Sequence, residues 1–309
     1  MSVHTRMVGR SGLRVSALAL GTHGWGTDVD EHGAAELLTA YRDAGGTTID
    51  TAYGYGDGAS EEIVGALVGT DRRDDLVLCT KSGVSRTGDD VCIDTSRGGL
   101  LRQLDTSLSR LRTDHVDLWM VHMWSDDVPL AETLSALEHA LQTGRTRYVG
   151  VSGYAGWQLA RAASLLEQVR VPLVACGTRY NLLERWPEHE LAAAATHLGT
   201  GLLAWSPLAS GVLSGKYRRG VPAQSRAASG RRVSLLHEGN GPVVQALVTA
   251  ADGLGVTATE VALAWVRDRP GVATAAVGAR TPVQLQAALR SDALTIPAEV
   301  GHALDEVSA

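Results

Sequence analysis

The chain has 309 residues, a formal net charge of −6 from 28 basic and 34 acidic side chains, and 44% hydrophobic residues. No long run of one sign favours nucleic acid or an anionic membrane as partner, and no stretch of about 18 apolar residues is present to span a bilayer. Cys79, Cys92 and Cys176 are far apart with no CxxC pair, and the opening MSVHTRMVGRSGL has no apolar signal core, which excludes a disulfide framework and a zinc cluster and leads us to expect a cytoplasmic protein.

In chain order, TRMVGRSGLRVS (5–16) reads as a β-hairpin expected to cap the bottom of a barrel. Short β-rich apolar runs follow at 14–21, 47–50, 76–81, 116–122, 147–152, 173–177, 201–206 and 272–278. Between them, residues 31–45, 60–68, 96–111, 130–144, 156–168, 188–199 and 242–255 carry apolar residues at helical spacing, several closing on glycine. Two more helices, 257–269 and 281–290, flank the eighth run. Strands alternating with helices predict a parallel sheet, and eight of them predict a (β/α)8 TIM barrel. An open dinucleotide-binding sheet would carry GxGxxG after its first strand; GTHGWGTD stands there instead. Residues 216–241, rich in Arg, Ser and Gly, form the one long predicted loop, a candidate cover for a ligand. The whole chain, 1–309, is expected to be a single domain.

In such barrels the active site is built at the C-terminal ends of the strands. The second run ends on Asp50, with Tyr55 five residues on in a glycine-rich loop; the third ends on Lys81 and the fourth on His122. Taken singly, a strand-end Asp is ordinarily a cap, a lone His a packed residue, and a Tyr in a glycine loop a lid. Lys81 is different. Only two of the 28 basic residues are lysine, Lys81 and Lys216, so lysine persists where a compact ammonium is needed rather than a guanidinium. A lysine ending an apolar strand also needs a partner to be buried. Together the four residues suit proton chemistry. Free tyrosine, with a pKa of roughly 10, protonates an alkoxide poorly at neutral pH. A nearby cation lowers such a pKa by roughly 1–3 units, so Lys81 is expected to acidify Tyr55 while Asp50 holds the ammonium. His122 would donate to a carbonyl oxygen as charge develops there. No metal-ligand cluster accompanies them.

IDTAYGYGDGASEE (49–62) resembles the IDTAxxYGxGxSE segment of aldo-keto reductases, and LCTKSG, DHVDLWMVH, VGVSGYAGWQLARA, RYNLLER and AWSPLASGVLSGKY resemble that family's later segments in order. The likeness spans about residues 6 to 290 and is nearest the bacterial reductases and potassium-channel β-subunits. It implies NADPH as cofactor and a small-molecule carbonyl as substrate. By resemblance, Tyr55 is the general acid supported by Lys81 and Asp50, and His122 orients the carbonyl. Trp205 matches the residue stacked on the nicotinamide and Ser152 one that holds its carboxamide. Ser206, Pro207, Leu208, Ser210, Gly211 and Lys216 match the loop around the pyrophosphate; Arg226, Gly278, Arg280 and Gln284 match positions around the adenosine 2′-phosphate. Two arginines near one phosphate favour NADPH over NADH.

Three departures stand out. Gly153 replaces an Asn, Gly177 a Gln, and Ala287-Ala288 the Glu-Asn pair that reads the adenine. At about 1 kcal/mol each, two lost hydrogen bonds at the carboxamide weaken binding roughly 30-fold. The two glycines are also expected to leave added room beside the nicotinamide. Trp25, Tyr53, Trp124 and residues 86–91 are the expected substrate walls, so a bulky metabolite or natural-product carbonyl is expected. Two other functions stay open: an NADPH-binding regulatory subunit like the channel β-subunits, and a dehydratase or cyclase that uses the four residues without net redox. Oligomeric state is not legible.

Overall fold

The computed structural model describes residues 3–69, 73–87, 90–223, 225, 227–228 and 233–309. The chain opens with an antiparallel hairpin of β1 (Thr5–Met7) and β2 (Arg14–Ser16). After Ala17, which breaks the predicted 14–21 run in two, come β3 (Leu18–Gly21), α1 (Glu31–Asp43), β4 (Thr48–Asp50), α2 (Ala59–Val68) and β5 (Val77–Ser82). A second hairpin, β6 (Val84–Thr87) and β7 (Asp90–Ile93), is inserted there. The alternation resumes with α3 (Arg97–Leu111), β8 (Val116–Val121), α4 (Leu130–Gln142), β9 (Thr146–Ser152), α5 (Gly156–Gln168), β10 (Leu173–Arg179), α6 (Leu191–Leu198) and β11 (Gly201–Trp205). It closes with α7 (Gly241–Leu254), α8 (Ala258–Arg267), β12 (Val272–Val277), α9 (Pro282–Leu289) and α10 (Ala298–Val307).

Strands β3, β4, β5, β8, β9, β10, β11 and β12 form a closed barrel in that order, every pair parallel, with Ala275 of β12 opposite Leu18 of β3 at the closure. Alternation along a strand sends side chains to opposite faces, and this decides what reaches the barrel interior. On β8, Leu118 and Met120 join Cys79, Val174, Leu203 and Ala273 inside, whereas Trp119 and Val121 pack outward with the helices. The same parity on β5 puts Lys81 in line with Val77 and Cys79, and on β4 aligns Asp50 with Thr48; all five line an axial cavity of about 20 Å³, room for about one water.

The first hairpin plugs the bottom, as expected. Val8, Leu13 and Val15 belong to the interior cluster, and Arg10 N–H donates to the Gly199 carbonyl at 2.7 Å, just before β11 begins. Gly9, at φ +55°, lies so close that a Cβ would stand 2.1 Å from the Gly199 oxygen. The open end of the barrel is therefore the C-terminal one. Among the described residues no single helix is long and apolar enough to cross a membrane.

Candidate active site

Asp50 and Lys81 close the top of the interior. Lys81 Nζ donates to Asp50 Oδ1 at 2.6 Å and to the Thr51 carbonyl at 3.0 Å. Their side chains are 4% and 12% exposed, so the lysine has the buried partner its position demands. Burial works against the ammonium, but Asp50, Tyr55 and Cys79 outweigh it and hold the Lys81 pKa above the ordinary value. Lys81 is a firmly charged group at neutral pH.

Tyr55 stands on the loop between β4 and α2. Thr51 N–H donates to the Cys79 carbonyl and Tyr53 N–H to the Lys81 carbonyl, both at 2.9 Å, so the loop starts as an extension of the sheet. It then turns through Gly56, Asp57 and Gly58, all with positive φ (57°, 53° and 102°). For Asp57 that conformation carries strain, which surrounding contacts must hold. The turn brings the Tyr55 ring 5.5 Å from Lys81 Nζ and 5.8 Å, edge to face, from the His122 ring. His122 follows β8 directly, its N–H donating to the Ser82 carbonyl at 2.7 Å. The structure thus brings all four expected residues together from three neighbouring strands.

One expectation is corrected. Burial raises the Tyr55 pKa above its ordinary value of 10.0, and although Lys81 pulls it back, the net direction is upward. Desolvation, which residue spacing does not carry, outweighs the cation. Lys81 keeps the phenol from rising further, and with the shift upward Tyr55 stands protonated at neutral pH.

The segment after β11 is built unlike an ordinary turn. Ser206, Ala209 and Ser210 all have positive φ (55°, 49° and 57°), as does Gly211 (89°). Non-glycine residues in this region are uncommon; within the segment the Ala209 and Gly211 N–H groups donate to the Ser206 and Leu208 carbonyls at 2.9 and 2.8 Å. Lys216 folds back over it: a Cβ on Gly211 would stand 2.8 Å from Lys216 Nζ. Pro207 is buried and Leu208 half-buried in the same segment. Gly278 follows β12, and Arg280 N–H donates to the Gln284 side chain at 3.0 Å beside the first turn of α9, which Thr281 caps. The Arg280 guanidinium pairs with Asp28 at 3.3 Å, across the β12–β3 seam. Arg226 lies outside the described residues. Lys216, folded over this segment, is the cation available to a pyrophosphate there; a 2′-phosphate at Arg280 would share it with Asp28.

Ser152 is buried at the end of β9. The added room expected at Gly177 is absent, because a Cβ there would meet Ser152 Oγ at 2.7 Å and Met120 Cε at 3.3 Å. Ser152 and Met120 fill that space. At Gly153 (φ +69°) a Cβ would sit in ordinary van der Waals contact, 3.6 Å from Met123 Cγ and 3.8 Å from the His122 carbonyl oxygen, in a backbone conformation that Gly or Asn adopts readily. One face of Trp205 carries the Arg179 guanidinium, 4.7 Å from the ring, which also pairs with Glu184 at 3.0 Å.

The expected substrate walls divide. Trp124 stands at the rim in an edge-to-face cluster with Tyr154 and Trp157 (5.0 and 5.5 Å). Trp25 is 1% exposed within the helix-facing core and presents almost no surface. The Tyr53 ring packs under the Arg110 guanidinium of α3, 4.6 Å away. Within residues 86–91, part falls outside the described residues; Asp90 and Val91 are exposed on β7. Sequence reasoning missed His23, whose ring lies 4.8 Å from Tyr55. Its signal was available, since it follows the first barrel strand at the same end as the other four. All three cysteines are free thiols, and among the described residues no group of three or more His, Cys, Asp or Glu is placed to hold a metal.

Comparison with known proteins points the same way. The aldo/keto reductase family model matches residues 17–309. The chain is 34% identical to an uncharacterized oxidoreductase, YrpG, of Bacillus subtilis (strain 168), over 97% of this chain and 94% of that protein. It is 36% and 35% identical to the L-glyceraldehyde 3-phosphate reductases of Escherichia coli O157:H7 and K12, over 91% of this chain and 85% of each. The barrel, the residues at its open end and these relatives together place the chain in the aldo/keto reductase family, as an oxidoreductase acting on a carbonyl.

Proposed function

We propose that the protein reduces an aldehyde or ketone to the alcohol with NADPH, Tyr55 acting as the general acid. The observation that carries this reading is the buried Lys81–Asp50 pair (2.6 Å) set beside a protonated Tyr55 that also faces His122. When bound, the dihydronicotinamide supplies the hydride to the carbonyl carbon; Trp205, Ser152, the 206–211 segment, Lys216, Gly278, Arg280, Gln284 and Arg226 are the residues proposed to hold the cofactor. The carbonyl oxygen takes up the Tyr55 proton, and His122 donates to the same oxygen as negative charge grows on it. Lys81 then stabilises the tyrosinate, and Asp50 keeps the ammonium charged and pointed. A positioned proton donor of this kind contributes about 10²- to 10⁴-fold to the rate.

Rim aromatics around Trp124 support a bulky carbonyl substrate, and the Escherichia coli relatives make L-glyceraldehyde 3-phosphate a small, phosphorylated comparator. The test is an NADPH titration by calorimetry, followed by the loss of 340 nm absorbance with a panel holding both kinds of carbonyl. Saturable binding with turnover supports the reading; tight binding without turnover of any carbonyl points to a regulatory subunit. A second reading, acid/base chemistry without net redox, is favoured by Arg179 covering one face of Trp205. No NADPH binding, with a product equal in mass to its substrate or lighter by one water, would establish it.

A further inference from the structure

The loop that carries Tyr55 contains three successive positive-φ residues, Gly56, Asp57 and Gly58; glycine adopts this backbone freely, but Asp57 keeps it only where neighbours over-determine it. One side chain touches it at several points. Arg110, in the last turn of α3, donates through Nη1 to the Tyr53 carbonyl at 3.1 Å, and its guanidinium covers the Tyr53 ring at 4.6 Å. It also lies flat on Gly58, where a Cβ would stand 2.3 Å from the guanidinium carbon. Arg110 therefore grips the loop two residues before Tyr55 and three residues after it.

The grip is itself anchored. Arg110 Nη1 pairs with Glu61 Oε2 at 3.3 Å, and the Glu61 side chain is 0% exposed. The other Glu61 oxygen accepts from Thr80 Oγ1 at 2.6 Å, and Thr80 is the residue before Lys81. Burial raises the Glu61 carboxyl above its usual range, and Thr80, Ser107 and Arg110 oppose that rise. Gly65 lets the two helices meet, since a Cβ there would stand 2.1 Å from the Arg110 carbonyl oxygen. One chain of contacts thus runs from β5, through Thr80, Glu61 and Arg110, to both flanks of Tyr55. It ties the strand that places Lys81 to the loop that places the phenol.

We infer that Arg110, held by Glu61, is a positioning residue that fixes the Tyr55 phenol relative to Lys81 and His122. The fork geometry of arginine is what the task needs, because one group must meet a carboxylate, a backbone carbonyl and an aromatic face together. Lysine can pair with Glu61 but cannot cover the ring as well. This inference rests on the proposed role of Tyr55 for its kinetic part and not for its structural part.

The test compares Arg110→Met and Arg110→Lys with wild type by hydrogen exchange of residues 52–58 and by steady-state kinetics at saturating NADPH. Arg110→Met is expected to speed exchange at 52–58 selectively and to lower kcat by about 10- to 100-fold with KM within about threefold, as a misplacement near 1 Å does. Arg110→Lys is expected to restore the melting temperature but not kcat, and it keeps the test intact if Arg110→Met folds poorly. Exchange at 52–58 no faster than wild type, or a lowered melting temperature with unchanged kcat per folded molecule, would overturn the inference. Should wild type reduce no carbonyl, the reductase reading falls while the exchange measurement still decides on Arg110.

Discussion

Asp50→Asn isolates the energetic centre of the site. The substitution keeps the shape of the side chain and removes the charge that lies 2.6 Å from Lys81 Nζ. Wild-type Lys81 has a folded pKa above that of an unfolded lysine. Its contribution to stability is therefore fully present below about pH 10.4, the unfolded value, and is lost only as pH rises through the folded one. Without Asp50, burial becomes the dominant influence and pushes the folded pKa below the unfolded value. An ammonium must then stay buried unpaired or give up its proton. Breaking a buried pair from one side costs about 3–5 kcal/mol, against a total stability of about 5–15 kcal/mol. With a urea slope near 3 kcal/mol/M the midpoint at pH 7 falls by about 1 M or more. The sign of the pH dependence is the sharper observable. The penalty fades as pH climbs from the lowered folded pKa towards about 10.4, so the gap to wild type narrows between pH 7 and pH 9.5. Adding Lys81→Met to the same variant removes the stranded charge and recovers most of the loss. A midpoint at pH 7 within 0.3 M of wild type, by rough reckoning from the same slope, or a gap that widens with pH, would refute the reasoning.

Tyr55→Phe removes the proton donor and is expected to lower carbonyl turnover by about 10²- to 10⁴-fold while NADPH affinity, read by fluorescence titration, stays close to wild type; unchanged turnover rejects Tyr55 as the acid. Arg280→Ala is expected to weaken NADPH binding by about tenfold, the worth of one charge-assisted contact, and to leave NADH binding unchanged. Equal losses for both cofactors would mean that Arg280 acts through its Asp28 ion pair and not on a phosphate. Gly177→Ala forces a methyl within 2.7 Å of Ser152 Oγ and is expected to destabilise by about 1–3 kcal/mol, lowering the thermal midpoint. An unchanged midpoint would mean that Ser152 turns aside without cost.

The eight barrel strands were legible because parallel strands buried on both faces read as apolar runs, and the helices between them because each buries one stripe. The β6–β7 hairpin and α10 escaped. The β6–β7 hairpin is exposed along all of β7, so no buried alternation marks it, and α10 buries only Leu304, too little for a stripe. Asp50, Tyr55, Lys81 and His122 were readable because the fold sends strand ends to one place. Burial of Trp25 and the filling of the Gly177 site by Ser152 depend on side-chain directions that spacing does not carry. The direction of the Tyr55 shift depended on desolvation, which only packing reveals. The Arg110–Glu61 link joins two helix faces whose residues are 49 apart, and nothing in either helix alone announces it.

The plugged end of the barrel bears on how the enzyme must be recharged. Below Asp50 and Lys81 the axis is filled by Cys79, Leu118, Leu203 and the hairpin's Val8, Leu13 and Val15, around a cavity of about 20 Å³. Among the described residues that column offers a string of waters few of the polar partners each would need. After each turnover, Tyr55 on the proposed mechanism must recover its proton from the open end alone. Exposed His23, 4.8 Å from the phenol ring, stands on that approach. The hairpin at the far end, by sealing the column, makes entry of substrate, exit of product and resupply of the proton compete for a single doorway.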